Sequence, residues 1–306
     1  MNIEQYERMR RGAGFIAALD QSGGSTPKAL SLYGITAPSY GDEEEMFNLM
    51  HQMRSRVILS PAFSSQHILA AILFEMTMER LIEGVPSAEF LWHRKGIVPF
   101  LKIDNGLMSP VHGAALMRPM PQLSTTLAKA NHYGIFGTKA RSVIRESDAI
   151  GISACVDQQF EVAEQVMDAD LIPIIEPEVD IESREKHWIE YLLKGALLRA
   201  LDALESSRNV ILKLTIPSEA NYYAELINHP RVIRVAALSG GYPQSLATRL
   251  LAQNPGMIAS FSRALTEGLH YQQSDAAFNS TLERSVLAIY EASIKKNDWP
   301  TTNPIS

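Results

Sequence analysis

Short apolar runs punctuate the chain at residues 15–20, 71–75, 98–104, 135–139, 171–178, 209–216, 232–239 and 257–263. Each is apolar at odd and even positions alike, which is the pattern of a strand covered on both faces, as in a parallel sheet. The stretches between them carry helical spacing instead. Phe160, Val162, Ala163, Val166 and Met167 precede the fifth run, and Trp188, Tyr191, Leu192, Ala196, Leu197 and Leu201 precede the sixth. Strand and helix in alternation predict right-handed βαβ units. Eight of them predict an α/β fold, a single-domain (β/α)8 TIM barrel over residues 1–294, with a polar tail at 295–306. The longest interval, 21–70, has room for two helices. An open doubly wound sheet would need a glycine loop after its first strand. Gly12-Ala13-Gly14-Phe15-Ile16-Ala17 has the letters of GxGxxA but precedes that strand.

The polar residues are placed less evenly than the apolar ones. The eight runs close, in order, on Asp20, Glu75, Lys102 with Asp104, Lys139 with Arg141, Glu176 with Glu178, Lys213, Ser239 and Arg263. Residues two apart on a strand share a face, so Lys102/Asp104, Lys139/Arg141 and Glu176/Glu178 are same-face pairs. In a barrel the C-terminal strand ends converge on one mouth, where active sites of this fold lie. One charge at a strand end is ordinarily the point where the chain meets water. Three lysines, two arginines and several carboxylates around one rim exceed that explanation and read as a site.

Composition narrows the function classes. The chain has 306 residues, 46% of them hydrophobic, and 28 Lys+Arg against 34 Asp+Glu for a net charge of −6. That balance gives no electrostatic footprint for nucleic acid or an anionic membrane, while leaving room for a compact anion in a local basic pocket. The single cysteine, Cys155, allows neither an intrachain disulfide nor a cysteine metal cage. The first residues lack the apolar core of a signal peptide, and no apolar run approaches the roughly 18 residues of a membrane span. The expected setting is a reduced cytoplasm, where the Asn279-Ser280-Thr281 sequon carries no meaning.

Lys213 stands inside Val210-Ile211-Leu212-Lys213-Leu214-Thr215-Ile216. A lysine in a buried strand is desolvated, which favours the neutral, nucleophilic amine, and a second cation such as Lys139 would push the same way. An amine at a barrel mouth suits imine formation with a ketone or aldehyde. That chemistry needs proton shuttles. Glu176 lies one strand earlier and is Lys213's lateral neighbour, and Asp20 closes the first strand. Ser239-Gly240-Gly241 follows the seventh strand and Arg263 closes the eighth, the usual phosphate position of the fold. Asp20-Gln21-Ser22-Gly23-Gly24-Ser25-Thr26-Pro27-Lys28 is a second Gly/Ser loop, with Ser25 placed as a helix cap and Ser22 free for a ligand.

These segments resemble the class I (Schiff-base) fructose-1,6-bisphosphate aldolases, in their short bacterial branch. The resemblance runs over about residues 10–294. It is carried by Gly14-Phe15-Ile16-Ala17-Ala18-Leu19-Asp20, Phe100-Leu101-Lys102-Ile103-Asp104, Phe136-Gly137-Thr138-Lys139-Ala140-Arg141, Ile174-Ile175-Glu176-Pro177-Glu178, Ile211-Leu212-Lys213-Leu214-Thr215, Leu238-Ser239-Gly240-Gly241 and Ser260-Phe261-Ser262-Arg263-Ala264-Leu265. It implies that Lys213 forms the imine with the C2 ketone and that Glu176 serves as acid and base during carbinolamine dehydration. It further implies that Asp20 takes the C4 hydroxyl proton and that Lys139 tunes the imine lysine. Ser239, Gly240, Gly241 and Arg263 match the C1-phosphate positions, and Ser22, Ser25 and Lys102 those near the other phosphate, with Arg141 on the same rim.

The implied reaction is reversible cleavage of fructose 1,6-bisphosphate to dihydroxyacetone phosphate and glyceraldehyde 3-phosphate, with no metal and no organic cofactor. A tagatose or sedoheptulose bisphosphate is the alternative substrate. The implied partner is the sugar bisphosphate alone, with no nucleic acid or membrane, and a homo-oligomer is compatible with the family. Asn105 stands where the family often has lysine, and the tail ends in Ile305-Ser306 without the terminal tyrosine of animal members. A metal-dependent aldolase would need a histidine cluster. The eight histidines are scattered and none closes a strand. A non-catalytic binding barrel would be expected to lose Lys213, Glu176 or Asp20, and all three are present.

Overall fold

Alternate residues along each strand decide what fills the centre of the molecule. The computed structural model describes residues 2–21, 24–36 and 39–296. Its eight long strands are β1 (Phe15–Leu19), β2 (Ile68–Leu73), β3 (Val98–Lys102), β4 (Gly137–Ile144), β5 (Ile172–Val179), β6 (Val210–Thr215), β7 (Val232–Leu238) and β8 (Met257–Phe261). They run in the order β3-β2-β1-β8-β7-β6-β5-β4, every neighbouring pair is parallel, and pairing of β3 with β4 closes the ring. This is the expected (β/α)8 barrel. Ile16, Ala18, Ala70, Ile72, Val98, Phe100, Ile172, Ile174, Ile211, Ala236 and Ile258 pack together inside it. The other parity, with Ala17, Leu19, Leu101, Leu212, Leu214 and Ala237 among it, packs outward against the helices. Because both faces are covered, strands such as β1, β2 and β6 are buried at every residue.

Eight helices of seven residues or more accompany these strands among the described residues: α1 (Ile3–Arg11), α2 (Thr26–Leu32), α3 (Glu43–Leu59), α4 (Leu123–His132), α5 (Ala149–Asp168), α6 (Lys186–Ala203), α7 (Gln244–Ala252) and α8 (Asp275–Ile294). The 21–70 interval holds α2 and α3, as its length predicts. Helix α1 closes the bottom of the barrel. Met9 joins the inner cluster, and Arg234 donates to the carbonyls of Met9, Arg10 and Gly12, which have no partner inside the helix. No helix among the described residues is long and apolar enough to cross a membrane. Helix α8 ends at Ile294, and of the following segment only Lys295 and Lys296 are described.

Three expectations are corrected. Strand β2 spans Ile68–Leu73, not 71–75, because Phe74 starts a short helix, Glu75–Glu79. Glu75 therefore turns away from the rim toward Lys129, 3.7 Å away. Strand β4 runs on to Ile144, because β5 pairs along its whole length and Ala114–Ala115 adds to its far end. In α6 the buried stripe is Ile189, Leu193, Ala196, Leu197 and Leu201. Trp188 and Tyr191 lie off that stripe and are 61% and 58% exposed.

Gly137 is demanded by close approach. A Cβ there would lie 2.1 Å from the Ile172 carbonyl oxygen and 2.7 Å from the Phe100 ring. Gly137→Ala should cost about 3 kcal/mol of stability through overpacking. The check is a lower urea midpoint with an unchanged slope.

Candidate active site

The inward parity that is apolar at the bottom of the barrel becomes charged in the top layer. Asp20 follows Ile16 and Ala18, Lys102 follows Phe100, Lys139 follows Gly137, Glu176 follows Ile174, and Lys213 follows Ile211. Their side chains line a cavity of about 580 Å³ at the C-terminal strand ends, together with Asp104, Arg141, Glu178, Ser239, Gly240, Ser260 and Arg263.

Lys139 is the hub. Its side chain is 3% exposed, and its ammonium lies 2.7 Å from Asp20 Oδ2, 3.0 Å from Glu176 Oε2 and 3.9 Å from Asp104 Oδ2. The Glu176 contact is electrostatic, out of hydrogen-bond alignment. The other Glu176 oxygen, Oε1, is 2.8 Å from Lys213 Nζ. Lys102 pairs with Asp104 Oδ1 at 2.6 Å, and Arg141 Nη1 with Glu178 Oε2 at 3.1 Å.

These contacts set the protonation states. Burial would raise the Asp20 carboxyl, but Lys139, Lys213 and Lys102 outweigh it and hold the group well below the usual carboxylate range. Asp104 is lowered against its burial by Lys139 and Lys102. Burial would lower Lys139, yet Asp20, Glu176 and Asp104 lift it far above the usual lysine range. Glu178 is raised, chiefly by burial, with Arg141 opposing and Glu176 adding to the rise. Asp20 is thus an anion and Lys139 a cation throughout the physiological range.

The expected site residues converge with few exceptions. Ser25 stands at the N-cap position of α2, with Pro27 in the first turn, and reaches the cavity wall. Ser239 and Gly240 line the cavity beside Arg263. Gly240 has φ +62°, and a Cβ there would lie 2.5 Å from Ile181, so glycine is required in this turn. Gly241 packs against the Arg263 guanidinium, 3.4 Å from where its Cβ would be. Ser22 lies outside the described residues.

Lys213 stands beside Glu176, as the strand order predicts, but not directly beside a second cation. The lysine is buried, but Glu176 stands between it and Lys139 and contacts both. Low dielectric makes an unpaired ammonium costly, so the fold supplies a carboxylate. Sequence reasoning also missed Ser260 and Ser262 on the wall, and Arg54 behind it. A charge on the buried stripe of α3, among Met50, Met53, Val57 and Ile58, was the available signal for Arg54. Among the described residues, no group of three or more His, Cys, Asp and Glu side chains is arranged to hold a metal ion.

A buried lysine coupled to carboxylates at the mouth of such a barrel is the arrangement that imine chemistry on a carbonyl substrate requires. No family model matches the chain. Three curated relatives, each described as "Fructose-bisphosphate aldolase class 1", do. The Synechocystis protein is 55% identical over 293 residues, covering 96% of this chain and 98% of the relative. Those of Clostridium acetobutylicum and Porphyromonas gingivalis are 53% and 52% identical, covering 96% of this chain and 100% of each relative. The chain belongs to the class 1 fructose-bisphosphate aldolases. The solved structure of fructose-bisphosphate aldolase from Plasmodium falciparum, in complex with TRAP and a small-molecule inhibitor, matches with a TM-score of 0.76. It is 18% identical, covers 96% of this chain and 94% of its own, and shares the fold.

Lys139→Met should leave Asp20, Glu176 and Asp104 without their common cation. The expected loss is about 3 kcal/mol at pH 7, the scale for breaking one side of a buried ionic network. Asp20 and Asp104, which Lys139 holds low, would then bind protons more readily when folded, so the loss should shrink as pH falls toward 4. Urea denaturation of both proteins across that range is the check.

Proposed function

We propose that the protein reversibly cleaves fructose 1,6-bisphosphate into dihydroxyacetone phosphate and glyceraldehyde 3-phosphate through an imine on Lys213. The observation that carries this reading is the continuous path Lys213–Glu176–Lys139–Asp20, with contacts of 2.8, 3.0 and 2.7 Å. It joins Lys213, whose carboxylate partner is shared with Lys139, to Asp20, a carboxylate held ionised.

Attack on the C2 ketone needs the free amine, and Glu176 Oε1 is the base in reach of the ammonium proton. The carbinolamine then loses water as Glu176 returns that proton to the departing hydroxyl. The protonated imine withdraws electrons from C3. As the C3–C4 bond breaks, its electron pair passes into the enamine, and Asp20 takes the C4 hydroxyl proton to release the aldehyde. Protonation of the enamine and hydrolysis of the imine free the ketone. Lys139 keeps its proton through these steps and stabilises charge on Asp20 and Glu176.

Arg263 with Ser239, Gly240 and Gly241 is the proposed grip on the C1 phosphate, combining a guanidinium with close backbone approach. Ser22, Ser25 and Lys102 are assigned to the opposite phosphate, and Arg141 to the rim between them. The mechanism calls on no metal or organic cofactor, and residues 1–294 constitute the catalytic barrel. The cytoplasm is the proposed setting, in keeping with a sugar bisphosphate substrate.

Lys213→Met keeps much of the stem volume and removes the nucleophile. Cleavage should fall by at least about a thousandfold in a protein that still folds. Wild-type turnover in that variant would refute the assignment. Arg263→Ala should raise KM about tenfold or more with a smaller fall in kcat, as for loss of a binding contact held in ground and transition states alike. Activity should be indifferent to EDTA.

A further inference from the structure

Arg54 on α3 is 3% exposed, and among the described residues no carboxylate forms an ion pair with it. A buried guanidinium without a carboxylate is costly, so its hydrogen bonds matter. Nη1 donates to Thr77 Oγ1 at 2.6 Å. Nη2 donates to both the carbonyl oxygen and the side-chain Oε1 of Gln21, at 2.5 and 3.3 Å. Burial lowers the guanidinium to about 10, which leaves it charged at neutral pH.

Arginine carries only donors, so the Gln21 amide must turn its oxygen toward Arg54 and its nitrogen away. That nitrogen donates to Ser262 Oγ at 2.8 Å. Gln21 directly follows Asp20, and Ser262 directly precedes Arg263. One side chain therefore spans the ends of β1 and β8, and its orientation is dictated from behind the wall. Gln21 and Ser262 line the cavity and Arg54 does not.

We infer that Arg54 is a positioning residue that, through Gln21, ties the strand end carrying Asp20 to the turn carrying Arg263. It thereby sets the span between the carboxylate that accepts the C4 proton and the guanidinium that holds the phosphate. This rests on the roles assigned to Asp20 and Arg263 above. A misplacement of about 1 Å can cost about a hundredfold in rate, so a link of this kind has a measurable effect.

Gln21→Met keeps the side-chain length and removes both amide contacts. For fructose 1,6-bisphosphate cleavage, per mole of folded protein and well below the variant's own Tm, kcat should fall about tenfold and KM rise several-fold. Arg54→Met should give the same paired change. Ser262→Ala combined with Gln21→Met should be no worse than Gln21→Met alone, since both cut one bridge. A merely structural role would lower Tm and leave kcat and KM within about twofold of wild type, and that result overturns the inference, as do additive losses in the double variant. If Arg54→Met fails to fold, Gln21→Met and the double variant decide. Lys213→Met and Arg263→Ala are measured alongside. If they behave as expected while Gln21→Met is silent, only the link falls. If they too are silent, the active-site reading falls with it.

Discussion

Six ionisable side chains are packed into the mouth of the barrel, and the fold can hold them because they neutralise one another. Lys102, Lys139 and Lys213 face Asp20, Asp104 and Glu176, three cations against three anions, all at least nine-tenths buried. Any one of them alone would be costly in that position. Together they form a network in which Lys139 touches three carboxylates and Glu176 touches two lysines. The strands beneath supply the positions, and the charges fix which strand ends must meet.

The same arrangement divides labour among chemically similar groups. Asp20 and Lys139 hold each other in their charged forms. Glu176 bridges two lysines and in the proposed mechanism is the group through which a proton passes to or from Lys213. Glu178, one inward position higher, is pushed toward the neutral acid by burial even though Arg141 opposes this. Side chains on one strand, two residues apart, thus have different ionic settings because the strand rises from the enclosed interior toward the opening.

Much of this was legible in the sequence because a two-residue period links strand, face and depth. The run 171–178 shows apolar residues giving way to Glu176 and Glu178 on one parity, and the structure places those residues on the inner face. What the sequence did not disclose depends on contacts between segments far apart in the chain. Strand order makes Glu176 the neighbour of Lys213, but its insertion between Lys213 and Lys139 shows only in three dimensions. Glu75 looks like a rim residue because Phe74 gives no sign, within the strand pattern, of starting a helix. The link Arg54–Gln21–Ser262 joins residues 33 and 241 positions apart, beyond the reach of any local period. Trp188 and Tyr191 mislead for the opposite reason: aromatic residues flank the buried stripe of α6 and face outward.

In the proposed mechanism Lys213 Nζ is the atom that bonds to substrate. Reduction with sodium borohydride in the presence of dihydroxyacetone phosphate, followed by peptide mass mapping, tests this directly. The prediction is a single stable adduct on Lys213, formed equally with and without EDTA. An adduct on Lys139 or Lys102 instead, or a folded protein that forms none, would contradict it.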